Sequence, residues 1–207
     1  EYEALPRRFP AQALALCAAA TEYDGYTLIY YRDNPALAEN DGLCRLLKSR
    51  ELCWAGRPVV PLPEFSAAVQ EQWGRFAESA ADSRDVWIFE SVFFQHPVHD
   101  LLRLYQADEA RIAAHIAGAA GRIAALRPVL LYLSPRDVRA QQTRIAALRE
   151  KPRYATEANI RFMEMRRQME QKMLDMLPFP PYMIETDPPD GDRVLEKAVR
   201  ALRSHIL

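Results

Sequence analysis

Cysteine is scarce, and no two cysteines stand in a C-x-x-C spacing: Cys17, Cys44 and Cys53 are the only thiols in 207 residues. An odd, scattered set of this kind excludes a disulfide framework and reads as reduced thiols in a cytoplasmic protein. The four histidines, His96, His99, His115 and His205, do not complete a zinc-binding pattern with them, so no structural metal is expected. Net charge is also lacking. Lys and Arg number 27 against 28 Asp and Glu, a balance that argues against broad binding to nucleic acid or to an anionic membrane. No apolar run approaches the roughly 20 residues needed to span a bilayer. The opening stretch from Glu1 to Pro10 is charged and proline-containing, unlike a secretory signal.

What is present is a succession of amphipathic helices and short apolar runs. Ala68, Val69, Trp73, Phe76 and Ala80 recur at helical spacing, and so do Ile112, Ile116, Ala119, Ile123 and Leu126. Between and after these helices lie Val86-Trp87-Ile88-Phe89, Val129-Leu130-Leu131-Tyr132-Leu133 and Tyr182-Met183-Ile184-Glu185-Thr186, which read as buried strands. Ser134-Pro135-Arg136-Asp137 predicts a helix start with Ser134 as cap, running to about Arg149. Glu157 to Leu177 predicts a further helix with a methionine stripe of Met165, Met169, Met173 and Met176, read as core more readily than as a binding groove. Leu195, Val199, Leu202 and Ile206 mark the last helix. Ala11 to Ala20 looks helical, Tyr26 to Tyr31 reads as a strand or a buried turn, and Asn34 to Pro63 reads as irregular.

Strands alternating with crossover-length helices predict a single α/β domain over 1–207, a doubly wound parallel sheet with helices on both faces. Ligands of such sheets bind beyond the carboxyl ends of the strands. Glu90 and Ser91 fall there, followed by Phe94, Gln95 and His96; so do Ser134, the helix carrying Arg136, Arg139, Arg144 and Arg149, and Asp187. A carboxylate facing arginines suits phosphoryl transfer: the carboxylate orients or deprotonates an attacking hydroxyl, and guanidinium groups neutralise the transferring phosphoryl.

The stretch Asp85-Val86-Trp87-Ile88-Phe89-Glu90-Ser91-Val92-Phe93-Phe94-Gln95-His96-Pro97 resembles the third-strand segment of bacterial P-loop proteins related to thymidylate kinase. Arg127 through Arg139 is similar to their fourth strand and the start of their LID, and Glu1 through Leu5 and Tyr26 through Arg32 match their style. The resemblance implies a P-loop-kinase-like, three-layer α/β/α fold with a helical LID-like region over 136–177. It implies an ATP-dependent phosphotransferase, nucleoside- or nucleotide-kinase-like, acting with Mg²⁺ on a small-molecule acceptor. Glu90, Arg136, Arg139 and Arg144 would be catalytic; Tyr31, Arg32, Ser91, Phe94 and Gln95 would bind the acceptor; Arg149 and Asp187 would lie on the ATP side. A homodimer is compatible with it.

The chain departs from the family at His96, usually Asn, and at Ser91-Val92, usually a cysteine pair. Its largest departure is a loop: no G-x-x-x-x-G-K-[ST] occurs among only seven glycines. In the family that loop lies upstream of the segment matching Glu1, between a central first strand and its helix. The expectation is that an N-terminal βα unit completes the sheet between the strands at 86–90 and 129–133, whose backbone groups otherwise go unpaired. The other reading is a non-catalytic nucleotide-binding or interaction module on the same sheet.

Overall fold

A computed structural model describes residues 2–23, 26–32, 34–52, 57–187 and 190–206; Cys53, Pro188 and Pro189 lie outside them. The chain is mixed α/β and mostly helical. It divides into two compact units, Glu1–Pro61 and Leu62–Leu207.

The first unit contains helices α1 (Leu5–Arg8) and α2 (Ala13–Ala19), an antiparallel pair β1 (Ala20–Tyr23) and β2 (Tyr26–Ile29), and helices α3 (Pro35–Ala38) and α4 (Asp41–Lys48). Leu16, Leu37, Leu43 and Leu47 form its core with Tyr31, and Phe9 and Ile29 pack against them. Asn34 to Pro63 is therefore less irregular than its polarity suggests. Asn40 caps α4 by accepting from the Leu43 N–H at 2.9 Å, and the leucines at 43 and 47 face inward one turn apart.

In the second unit α5 (Leu62–Ala80) precedes α6 (Gln95–Arg103) and α7 (Glu109–Ile123). The inward faces of α5 and α7 meet through Phe65, Val69 and Trp73 on one and Ile112, Ile116 and Ala119 on the other. At Gly118 a Cβ would lie 2.3–2.7 Å from the Gln70 side-chain amide, so a larger residue there displaces that flexible group. Next come β3 (Leu130–Ser134), α8 (Val138–Leu148), α9 (Glu157–Leu174), β4 (Pro181–Glu185) and α10 (Gly191–Ile206). Strands β3 and β4 pair in parallel, with Tyr132 opposite Met183 and Ser134 opposite Glu185, and α8 and α9 form the crossover between them.

Three local expectations need correction. Ser134 ends a strand rather than capping a helix. The cap of α8 is Asp137, which accepts from the Ala140 N–H at 2.9 Å, a position that leaves Pro135 outside the helix. The methionine stripe is split: Met173 is buried, whereas Met165 and Met176 are exposed.

The third correction concerns Val86–Phe89, which is neither a paired strand nor buried. The segment has no regular secondary structure, Val86 is 82% exposed and Ile88 91% exposed. Its aromatic residues rest on α5, with Phe89 edge-on to Phe76 at 4.9 Å and to Trp73 at 5.1 Å. Among the described residues no strand lies alongside to engage its peptide groups.

Candidate functional site

The segment 86–89 delivers Glu90, and the chain then turns abruptly. Ser91 has φ of 61°, a left-handed conformation that side chains with a Cβ disfavour by about 1–2 kcal/mol. The turn is held by bonds from Val92 N–H to the Glu90 carbonyl (2.7 Å) and from His96 N–H to the Ser91 carbonyl (3.0 Å). It places the Ser91 hydroxyl against the Glu90 carboxylate and 3.1 Å from the Gln95 side-chain oxygen. Ser91 is one of four described non-glycine residues at positive φ, with Gln106, Arg127 and Glu150, and its turn gathers a carboxylate, a hydroxyl and an amide. Glu90 is exposed, so its carboxylate is open to an incoming group.

Gln95 carries the cluster into a cavity of about 50 Å³ at the end of β3, lined also by Tyr132, Pro135, Arg166, Arg167 and Glu170. The side chain of Glu170 is only 1% exposed. It accepts from the Tyr132 hydroxyl at 2.7 Å and lies 3.0 Å from Arg166 Nε. That last contact is a buried ion pair without the alignment of a hydrogen bond, whereas Arg167 Nε is buried without a hydrogen-bond partner. Burial pushes the Glu170 carboxyl above its ordinary range, opposed by Arg166 and by the bond from Tyr132. Burial likewise raises the Tyr132 phenol, assisted by the nearby Glu170 charge. His99, in contact with Arg166 at 3.4 Å, is pushed down to about 4 by burial and by the charges of Arg166 and Arg103, so it is neutral at physiological pH. Burial also lowers His96, against the pull of Glu90.

The residues expected at the site therefore separate. Glu90, Ser91 and Gln95 come together, and Phe94 is buried beneath them, edge-on to Tyr132 at 6.1 Å. Arg136 forms an exposed ion pair with Glu185 at 2.8 Å, while its backbone N–H and that of Asp137 donate to Asp187. Asp187 thus braces the turn after β3. Arg139 pairs with Glu157 at the surface. Arg144 is half-buried on α8, and Arg149 is exposed at its end. Tyr31 and Arg32 belong to the first unit, where both donate to Glu51, the guanidinium at 2.7 Å.

Arg166, Arg167, Glu170 and Tyr132 escaped the sequence reading. Two signals pointed to them. Arg166 and Glu170 stand four apart on a helix, and a tyrosine inside an apolar strand needs a partner for its hydroxyl.

Among the described residues no group of three or more His, Cys, Asp or Glu is placed to hold a metal ion. No described helix is long and apolar enough to cross a membrane. ATP and Mg²⁺ require a phosphate cradle that the 207 residues do not contain. By themselves these residues do not fit that pair. Comparison with family models, with curated proteins and with solved structures finds no match to the chain.

Proposed function

We propose that this chain carries the acceptor side of an ATP-dependent phosphotransferase of the P-loop, thymidylate-kinase-like kind, acting on a small molecule in the cytoplasm. The observation that carries the reading is the strained turn at Ser91, which joins Glu90, Ser91 and Gln95 and continues into the cavity bearing Arg166 and Arg167. Glu90 is open to solvent and suited to orient an acceptor hydroxyl and take its proton. The Ser91 hydroxyl donates to that carboxylate and holds it in place. Because Arg136 and Arg139 are engaged by Glu185 and Glu157, they would have to exchange those partners before meeting a phosphoryl group.

With this function goes a fuller sheet, doubly wound and covered by helices on both faces. An additional βα unit would supply a strand between 86–89 and β3. The exposure of Val86 and Ile88 supports it, as does the pairing of β3 with β4 alone among the described residues, with Leu133 left 46% exposed. A second reading is a module on the same sheet that binds nucleotide without turnover.

The test is phosphate transfer by the full-length protein from γ-labelled ATP to a panel of hydroxyl- and phosphate-bearing small molecules, with Glu90→Gln alongside. Turnover should fall roughly 10²–10⁴-fold in the variant. Near-normal turnover removes Glu90 from the role of base, and nucleotide binding with no turnover by the unaltered protein selects the second reading.

A further inference from the structure

We infer that α10 is a self-association surface, on which the α10 of a second copy of this chain docks in antiparallel orientation. The inference rests on α10 itself and is independent of the phosphotransfer reading.

Leu195, Val199 and Leu202, a series that Ile206 continues in the sequence, follow the four-three step of a helix–helix seam. That stripe is not the one α10 turns to the sheet. The helix rests on β4 through a different row: Val194, Ala198 and Ala201 are half-buried, and Lys197 donates to the Glu185 carbonyl at 3.3 Å. At 3.6 residues per turn, the seam points about 100° away from that row. Leu195 is accordingly 62% exposed, Val199 is exposed and Leu202 is half-buried. A helix with one apolar stripe is complete once that stripe meets a sheet, whereas a second stripe calls for a second element.

Charge identifies the occupant. Beside the seam, on the side away from β4, runs a row of exposed charged residues. Asp192 and Glu196 occupy the amino half of α10, and Arg200 and Arg203 the carboxyl half. Glu196 and Arg200 pair with each other at 3.2 Å at the centre of the row. When two helices pack antiparallel about a two-fold axis, the same flank of each meets, with the amino half of one beside the carboxyl half of the other. Asp192 and Glu196 of one copy then face Arg203 and Arg200 of the second copy, and the axis repeats the match. The surface is complementary to itself, as an isologous contact requires. One helix of 16 residues, about 24 Å long, makes a small interface, so the dimer is weak, with a Kd of roughly 10 μM.

The test is sedimentation equilibrium of the full-length protein across a concentration series that brackets that value. A monomer–dimer equilibrium is expected. Val199→Asp should weaken it roughly tenfold or more, because a charge enters the seam twice. Glu196→Arg and Arg203→Glu should each weaken it roughly fivefold, since each sets like charges across the axis. Mixed in equal amounts, these two variants should return to roughly the parent affinity, because every 196–203 contact between them again joins opposite charges. That recovery separates docking from a role inside the helix, where acidic residues near the amino end and basic ones near the carboxyl end also suit the helix dipole. Mixing cannot repair a fault within each chain.

Circular dichroism checks folding, and should Val199→Asp fail to fold, the two exposed charge reversals carry the test. Protein that stays monomeric throughout overturns the proposal, and its sedimentation with phosphatidylglycerol vesicles would assign the stripe to a lipid surface instead. A dimer indifferent to all three substitutions is held by another face and overturns it as well. So does a mixture of the reversed variants that associates no more tightly than either alone.

Discussion

Removing Arg166 should destabilise the second unit severely, and by an amount that depends on pH. Glu170 is almost completely buried, and its two stabilising neighbours are Arg166 Nε at 3.0 Å and the Tyr132 hydroxyl at 2.7 Å. Arg166→Met preserves much of the apolar stem and deletes the charge. The carboxylate then stays buried with only one hydrogen bond, which by analogy with broken buried pairs costs about 3–5 kcal/mol. Set against a total stability of about 5–15 kcal/mol, that is a large fraction. The sign of the pH effect follows from the raised Glu170 value. The folded state holds this proton more tightly than the unfolded chain, whose ordinary value is 4.5, so stability falls as pH rises from there through the folded value. Losing Arg166 lifts the folded value further. The penalty should be smallest near pH 4.5 and grow toward neutrality. Adding Glu170→Leu should recover most of the loss but leave the Tyr132 hydroxyl buried without an acceptor, about 1–3 kcal/mol. Adding Tyr132→Phe as well should remove that remainder. Urea unfolding at pH 5 and pH 7 gives the free energies. Arg166→Met within about 1 kcal/mol of the parent at both pH values would refute the account, since a buried charge cannot lose its partner so cheaply.

His115 gives a second pH signature. It is buried against Phe65 with Nδ1 2.9 Å from the Ser66 hydroxyl, and burial pushes it down to about 4 from 6.5. The unfolded chain takes up a proton in that window that the folded chain refuses, so stability is lost as pH falls from 6.5 to 4, by about 3 kcal/mol. Urea titrations of His115→Phe should show a visibly shallower decline, with His99 supplying the rest; an unchanged slope would assign the effect elsewhere. Ile88→Lys in the 207-residue chain should alter stability by no more than about 0.5 kcal/mol, since the side chain is 91% exposed. A loss above about 2 kcal/mol by the same unfolding assay would mean that Ile88 is covered.

The parallel pair β3–β4 was legible because both runs are short, apolar and separated by crossover-length helix, the connection a parallel pair requires. The helices α5, α7, α9 and α10 were legible from their periodicity. The short helices α3 and α4 were not: polar capping residues and two leucines one turn apart give too weak a repeat. At the site, Glu90, Ser91 and Gln95 were within reach of sequence because they follow an apolar run directly. Arg166, Arg167 and Glu170 lie far along the chain from that run, and no local pattern says which helix face meets the end of β3.

Val86–Phe89 is the instructive failure, because its composition was read correctly and its environment was not. The free energy of four apolar residues depends on what lies beside them. Burying Ile88 fully would contribute about 1.5–3 kcal/mol, and pairing the peptide groups of the segment would satisfy donors that now face water. Neither gain is realised among the described residues, although Trp87 and Phe89 already rest on α5 and Gln95 already joins the turn after Glu90 to the end of β3. The segment is thus anchored at its helix side and at its carboxyl end, while its apolar outer side and the second edge of β3 remain exposed. An edge of this kind favours association with any suitable strand. A strand supplied between them would convert exposed apolar surface into core and fix Glu90 more firmly. The same addition would raise the cost of Ile88→Lys from negligible to several kcal/mol, so one substitution measured with and without the added strand reports directly on whether the sheet has been completed.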